Sequence, residues 1–380
     1  MTVRKLHAAL TAFLLATATV GTALVLAPAA QALTVSHNVG PLLNEAKQLM
    51  TSGNYSGAMA KLREADAVKS TPDDAAAINS MKQYIGVKTG DAALGGAAGA
   101  KAKFANDYNA GKWKDVIADA DVLRKNNALG AQEQLIIGQA YYKGRDFAGC
   151  VRYTKTLGGS DTALELQARC AYEIGDEATQ HDALEALVSR SGKPEYWKLL
   201  LKSSERTRGL SDHNTLDINR IRYMVGAIET KDEYTLLAQL ALQLGNAAEA
   251  QGYIEKGMAA KVLNDDRSNR LLTLAKTQAA ATAAGRAKAM AAAQASPMGD
   301  DLVKVGENMI GEAGKAKDAI PVIQAGLKKP LKDPANGQIR LGHAYLAAGQ
   351  KADAVAAFNK VKTPEKDANV AHLWSLVARR

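Results

Sequence analysis

The sequence predicts an all-α solenoid, a stack of antiparallel helix pairs, on three observations. A small residue followed by apolar or small residues at offsets of 3, 12, 16 and 19 recurs along nearly the whole chain. Gly-containing turns fall close to seven residues after each of these anchors. The composition, with nine Pro, four Phe and abundant Ala, suits tight helix crossings and does not read as a strand-rich domain.

The chain opens with MTVRKLHAALTAFLLATATVGTALVLAPAAQA, a basic start at Arg4 and Lys5, a long apolar run and a small-residue segment. That order is the anatomy of a secretory signal, with Ala30-Gln31-Ala32 as the cleavage site and Leu33 as the mature start. An uncleaved membrane anchor is the alternative, because the apolar run is about long enough to span a bilayer. Either reading places the rest of the chain outside the cytoplasm, so a periplasmic location is expected. Net charge is +9, spread without a cluster. Export argues against a nucleic-acid partner, and membrane association is expected only if the signal stays attached.

The repeat is clearest at LGHAYLAAGQKADAVAAFNKV, residues 341–361. A helix interior disfavours Gly by roughly 1 kcal/mol relative to Ala, so Gly342 needs a packing reason. Tyr345, Ala354, Phe358 and Val361 follow it at the repeat offsets. Ala46 is followed in the same way by Leu49, Ala58, Leu62 and Ala65; Gly138 by Tyr141, Cys150, Thr154 and Leu157; Ala238 by Ala241, Ala250, Ile254 and Gly257. Ala168 matches except at Gln180, and weaker copies start near Gln83, Phe104 and Glu307. Small side chains facing each other let two helices approach to about 8–10 Å, and stacking supplies the core that no pair has alone.

Anchor spacings are one or two units of roughly 34 residues, the tetratricopeptide period. Residues from about 39 to 380 therefore resemble a bacterial exported tetratricopeptide-repeat (TPR) protein. GKPEYWKLLL with GLSDHNTLDINRIRYMVGAI and KDEYTLLAQLALQLGNAAEAQGYIEKGMAAKVL is similar, more loosely, to envelope repeat proteins associated with TonB-type systems. The organisation expected is a signal peptide over 1–32, N-terminal and central repeats over 33–265, and C-terminal repeats over 266–380.

Three departures stand out. DAALGGAAGAKAK, residues 91–103, leaves too little room for a normal second helix, and Gly95, Gly96 and Gly99 favour bending. RGLSDHN replaces a short turn, with Ser211 or Asp212 as the helix cap. The Ala-rich segment 266–296 has a poor anchor pattern and reads as a long or broken pair with a shallow core. After Pro364, DANVAHLWSLVARR reads as a capping helix whose Trp374 covers the last repeat.

Reactive constellations are hard to find. Cys150 and Cys170, the two cysteines, fall on helices expected to be neighbours, so an exported chain can join them in a disulfide; two separately buried thiols are the alternative. No CxxC or HExxH supplies a metal site, and no cofactor is expected. GGAAGAK lacks the Gly-Lys-Ser/Thr of a phosphate loop, and no GxSxG elbow is present. First helices of such repeats line the inner wall of the stack, and positions one and four beyond each anchor face that wall. This selects Lys47, Gln139, Tyr142, Arg169, Tyr172, Gln239 and His343 as a partner-binding face for a periplasmic or envelope protein or peptide; an ordinary solvated face is the alternative. The expected function is a non-catalytic interaction scaffold. The rival is a small-ligand carrier or enzyme-like protein with a pocket formed by 266–330.

Overall fold

A computed structural model describes residues 34–380 of the chain. The signal segment and the expected mature start at Leu33 lie outside the described residues. Those described form nineteen α-helices and no strand, the all-α helix-pair architecture of the TPR type. They group into two compact units that divide between Leu166 and Gln167.

The first unit holds α1 (Gly40–Thr51), α2 (Tyr55–Val68), α3 (Pro72–Thr89), α4 (Ala92–Asn109), α5 (Trp113–Lys125), α6 (Ala131–Lys143) and α7 (Phe147–Thr154). α8 (Asp161–Ile174) contains the division. The second unit continues with α9 (Glu177–Arg190), α10 (Pro194–Ser204), α11 (Asp212–Met224), α12 (Lys231–Gln243), α13 (Ala247–Ala259) and α14 (Asp266–Ala295). It ends with α15 (Asp300–Ile310), α16 (Ala316–Leu327), α17 (Pro334–Ala347), α18 (Lys351–Phe358) and α19 (Glu365–Ala378). Within each unit the packing is mostly between consecutive helices.

The anchors do what their spacing implies. Ala46, Ala58, Leu62 and Ala65 are fully buried where α1 meets α2, as are Ala238, Ala241, Ala250 and Ile254 where α12 meets α13. At Gly342 any Cβ would sit 2.3 Å from the Phe358 ring, so α17 and α18 touch there through a bare backbone. The Glu307 anchor is displaced by one residue. It is Gly306 that meets Ile323, at 2.3 Å from a built Cβ, which frees Glu307 for an ionic role. Ser211, not Asp212, caps α11, in a reciprocal box with Asn214.

Two expectations change. The Gly-rich stretch forms one helix, α4, bent at Gly96 (φ 54°, ψ −137°). It packs on α3 beyond the bend as well as before it, with Gly99 close to the Gly86 carbonyl and Lys103 close to Gly90, and also packs on α5. Gly95 serves close approach, since a Cβ on Gly86 of α3 would lie 2.2 Å from the Gly95 nitrogen. Residues 266–295 form a single 30-residue helix in place of a long or broken pair. Ala has the highest helix propensity, so α14 persists although only Ser268, Ala275 and Ala293 are buried in it. It packs on α13 and on α15. The Lys329 ammonium donates to the Gln294 and Ser296 carbonyls, 2.7 Å each, and satisfies the C-terminal end of α14.

Candidate functional site

In the first unit an open cleft of about 620 Å³ lies between α2, α3 and α4. Tyr55, Met59, Ile85 and Leu94 make its apolar wall, and Lys103, Asn106, Asp107 and Lys112 its polar rim. The rim is internally paired: the Lys103 ammonium reaches Asp107 at 2.7 Å and Asp119 at 2.5 Å. Burial raises the Asp119 carboxyl against the pull of Lys103. The Lys103 hydrogen bond holds Asp107 below its ordinary value.

Beyond the rim, Tyr108 closes α4 and meets Trp113 edge to face, with ring centroids 5.5 Å apart. Lys143, the last residue of α6, places its ammonium 4.6 Å from the Tyr108 centroid and 4.9 Å from Trp113, and donates to the Tyr108 hydroxyl at 2.9 Å. Gln139, one turn earlier, accepts from that hydroxyl at 3.4 Å.

The second unit is tied internally by a buried ionic network. Arg220 of α11 donates to Glu249 of α13 at 2.8 and 2.6 Å and to Asp217 at 3.0 Å, and lies 3.2 Å from Glu307 of α15. Arg340 of α17, fully buried, donates to Glu307 at 2.9 Å and also to Asp217. The Lys304 ammonium reaches Glu307 at 3.0 Å. Burial opposes ionisation of Glu307, yet Lys304 and Arg220 together hold it below its ordinary value. Three acids meet three bases, and burial pushes the Asp217 carboxyl up against the pull of Arg220.

The terminal helix returns to α11 and to α9. Asn214 of α11 donates to Asp367 of α19 at 2.6 Å, Lys366 to the Gly209 carbonyl at 2.7 Å, and His372 lies 3.0 Å from Glu185 of α9. α19 packs on α18, with Trp374 stacked on Phe358. The same helix also packs on α11.

The residues expected on one partner-binding face are distributed unevenly. Gln139 and Tyr142 share α6, half-buried, and Lys47 is exposed on α1. Arg169 and Tyr172 are half-buried on α8, the Tyr172 ring 5.7 Å from the Arg206 guanidinium, and Gln239 is exposed on α12. His343 does not belong to such a face. It is 8% exposed, packed against Trp374, and its imidazole is kept neutral by burial with Arg220 nearby. The residue at that offset points inward because α19 covers it. Cys150 and Cys170 are buried and neither is a free thiol. Tyr108 and Lys143 were missed, although Tyr108 lies four residues beyond the weak anchor Phe104, where the same offset rule selects it.

No family model and no curated protein matches the chain. Among solved structures it is similar to the TPR domain of P58(IPK), at 14% identity over 90% of this chain and 97% of that one, with a TM-score of 0.21. It is also similar to yeast Tom70, at 11% identity over 90% and 95%, with a TM-score of 0.19. The fold assignment rests on the chain's own helix pairs.

Proposed function

We propose that the chain is a non-catalytic periplasmic interaction scaffold that holds an envelope protein or peptide on its first unit. The observation that carries this reading is the cleft between α2, α3 and α4, which is open to the surface and combines an apolar wall with a polar rim. An extended peptide or partner helix fits such a groove better than a small ligand, which calls for a concave site that buries most of its surface. The most strongly perturbed titratable groups, around Asp217 and Arg220, are spent on holding helices together. The periplasmic setting and a link to TonB-type systems rest on the signal-like start and the three quoted stretches.

The carrier reading required a pocket closed by 266–330, and no residue of that segment lines the cleft. Affinity capture from envelope extract tests the proposal, with Ser56→Trp filling the cleft from an exposed position of α2. Wild type is expected to retain a protein that Ser56→Trp loses. Equal capture by both removes the cleft as the site, and a co-purifying small molecule without a protein favours the carrier.

A further inference from the structure

One turn of the first unit breaks the rule that its counterparts obey. Gly53, Gly111, Gly175, Gly245 and Gly349 each immediately precede the cap of a following helix and adopt positive φ, between 70° and 79°. The equivalent position before the Asp146 cap of α7 is Arg145, at φ 60°. The neighbouring Gly144 does not take the left-handed role. It is needed for space, since its Cβ would sit 3.0 Å from the Ala140 carbonyl and 3.2 Å from the Trp113 Cβ. An L residue with a long side chain is strained at positive φ, and such strain persists where the side chain has work to do.

What Arg145 presents is an exposed cation seated on a ring, its guanidinium 5.8 Å from the Phe147 centroid. Lys143, two residues away, is seated on Tyr108 and Trp113. Among the described residues neither cation has a carboxylate at ion-pair distance, whereas Lys61, Lys69, Lys82, Lys101 and Lys103 of the same unit each do. The contact of Gly144 with Trp113 packs this turn on the 110–113 turn, where the Lys112 side chain is 60% exposed and lies 3.5 Å from Asp107. The result is a basic patch whose two unpaired cations, Lys143 and Arg145, are held in place by aromatic rings, so that little freedom is lost on binding.

Resting on the scaffold reading, we propose that the patch built on Lys143 and Arg145 docks an acidic, extended segment of a protein partner. An anionic membrane fits less well. The rings lie half-buried under the cations, and the unit's exposed large apolar side chains, Val68 and Tyr84, are on α2 and α3, so the patch has no apolar wedge to insert.

Fluorescence anisotropy with a labelled decapeptide of alternating Asp and Glu tests this on the mature chain, beside co-sedimentation with phosphatidylglycerol vesicles. Wild type is expected to bind the peptide with an affinity that falls with salt, and Lys143→Gln with Arg145→Gly to weaken it about tenfold. Lys317→Gln, an exposed change in the second unit, is expected to leave binding unchanged. Arg145→Gly alone restores the residue of the equivalent turns, so it is expected to keep the melting temperature while losing affinity. Peptide binding equal in the double variant and wild type, no peptide binding at all, or vesicle binding in its place overturns the proposal. If the double variant still captures the wild-type envelope protein while the peptide fails, the scaffold reading stands and the basic patch falls.

Discussion

His343 and Trp374 meet edge to face with ring centroids 3.9 Å apart, and this contact joins α17 to the returning terminal helix. Phe358 lies 6.1 Å from the same imidazole and stacks on Trp374 at 6.0 Å. The histidine is therefore an aromatic filler between helices. His343→Phe is expected to change stability by less than about 1.5 kcal/mol, as volume-conserving swaps do, and to leave partner capture intact. Loss of capture by a folded His343→Phe protein would restore this residue to the binding face.

Gly342 fixes how closely α17 and α18 approach, because the Phe358 ring occupies the space of any side chain there. Gly342→Leu is expected to destabilise the chain by roughly 1–3 kcal/mol through overpacking. A urea melt read by circular dichroism checks this, and an unchanged midpoint contradicts it.

Gly86 and Gly95 bring the backbones of α3 and α4 together. Gly86→Val places methyl groups where the Gly95 backbone lies, and about 1–3 kcal/mol of destabilisation is expected from overpacking. Hydrogen exchange is expected to rise in α3 and α4 more than in α12 and α13.

Arg340 answers Asp217 and Glu307 in a site with no water access. Arg340→Met leaves those carboxylates short of a partner, and about 3–5 kcal/mol is expected to be lost. Adding Asp217→Asn removes the carboxyl left without its Arg340 partner, so the double variant is expected to melt above Arg340→Met. Equal melting of the two would place the cost in packing instead.

Asp74 anchors the start of the described chain. Its carboxylate accepts from the Ser36 backbone at 2.8 Å and hydroxyl at 2.9 Å, and from the Ser70 and Thr71 backbones at 2.9 and 3.0 Å. These bonds, the Ser36 backbone bond first, hold its pKa well below the usual carboxylate range. The stability that ionised Asp74 contributes is therefore complete above the unfolded value of about 3.9 and lost as pH falls below it. Asp74→Asn is expected to flatten this acid limb and to speed hydrogen exchange in residues 34–39 at neutral pH.

Helix pairing was legible because it depends on local spacing. A small residue at Gly342 or Ala238, with apolar partners at fixed offsets, reports a crossing whatever the rest of the chain does. Ser211 was legible for the same reason, since a cap bonds within one turn. The long helix α14 was not, because periodicity measures an apolar face and an exposed Ala-rich helix needs almost none. The patch at Lys143 was not, because the rings that seat it come from α4 and the start of α5. One clue was present: Arg145 stands where the other turns carry Gly.

The sequence by itself determined the all-α class, the tetratricopeptide period, the positions of the crossings and most turns, all consequences of contacts between neighbours in the chain. Tertiary structure alone decided that α19 returns to α11, that Asp217, Arg220, Glu307 and Arg340 meet, and that His343 is covered. Those arrangements bring together residues far apart in sequence. Their side chains were ordinary surface types in every local pattern, and only the closing of helices around them, with the exclusion of water, made them a buried network.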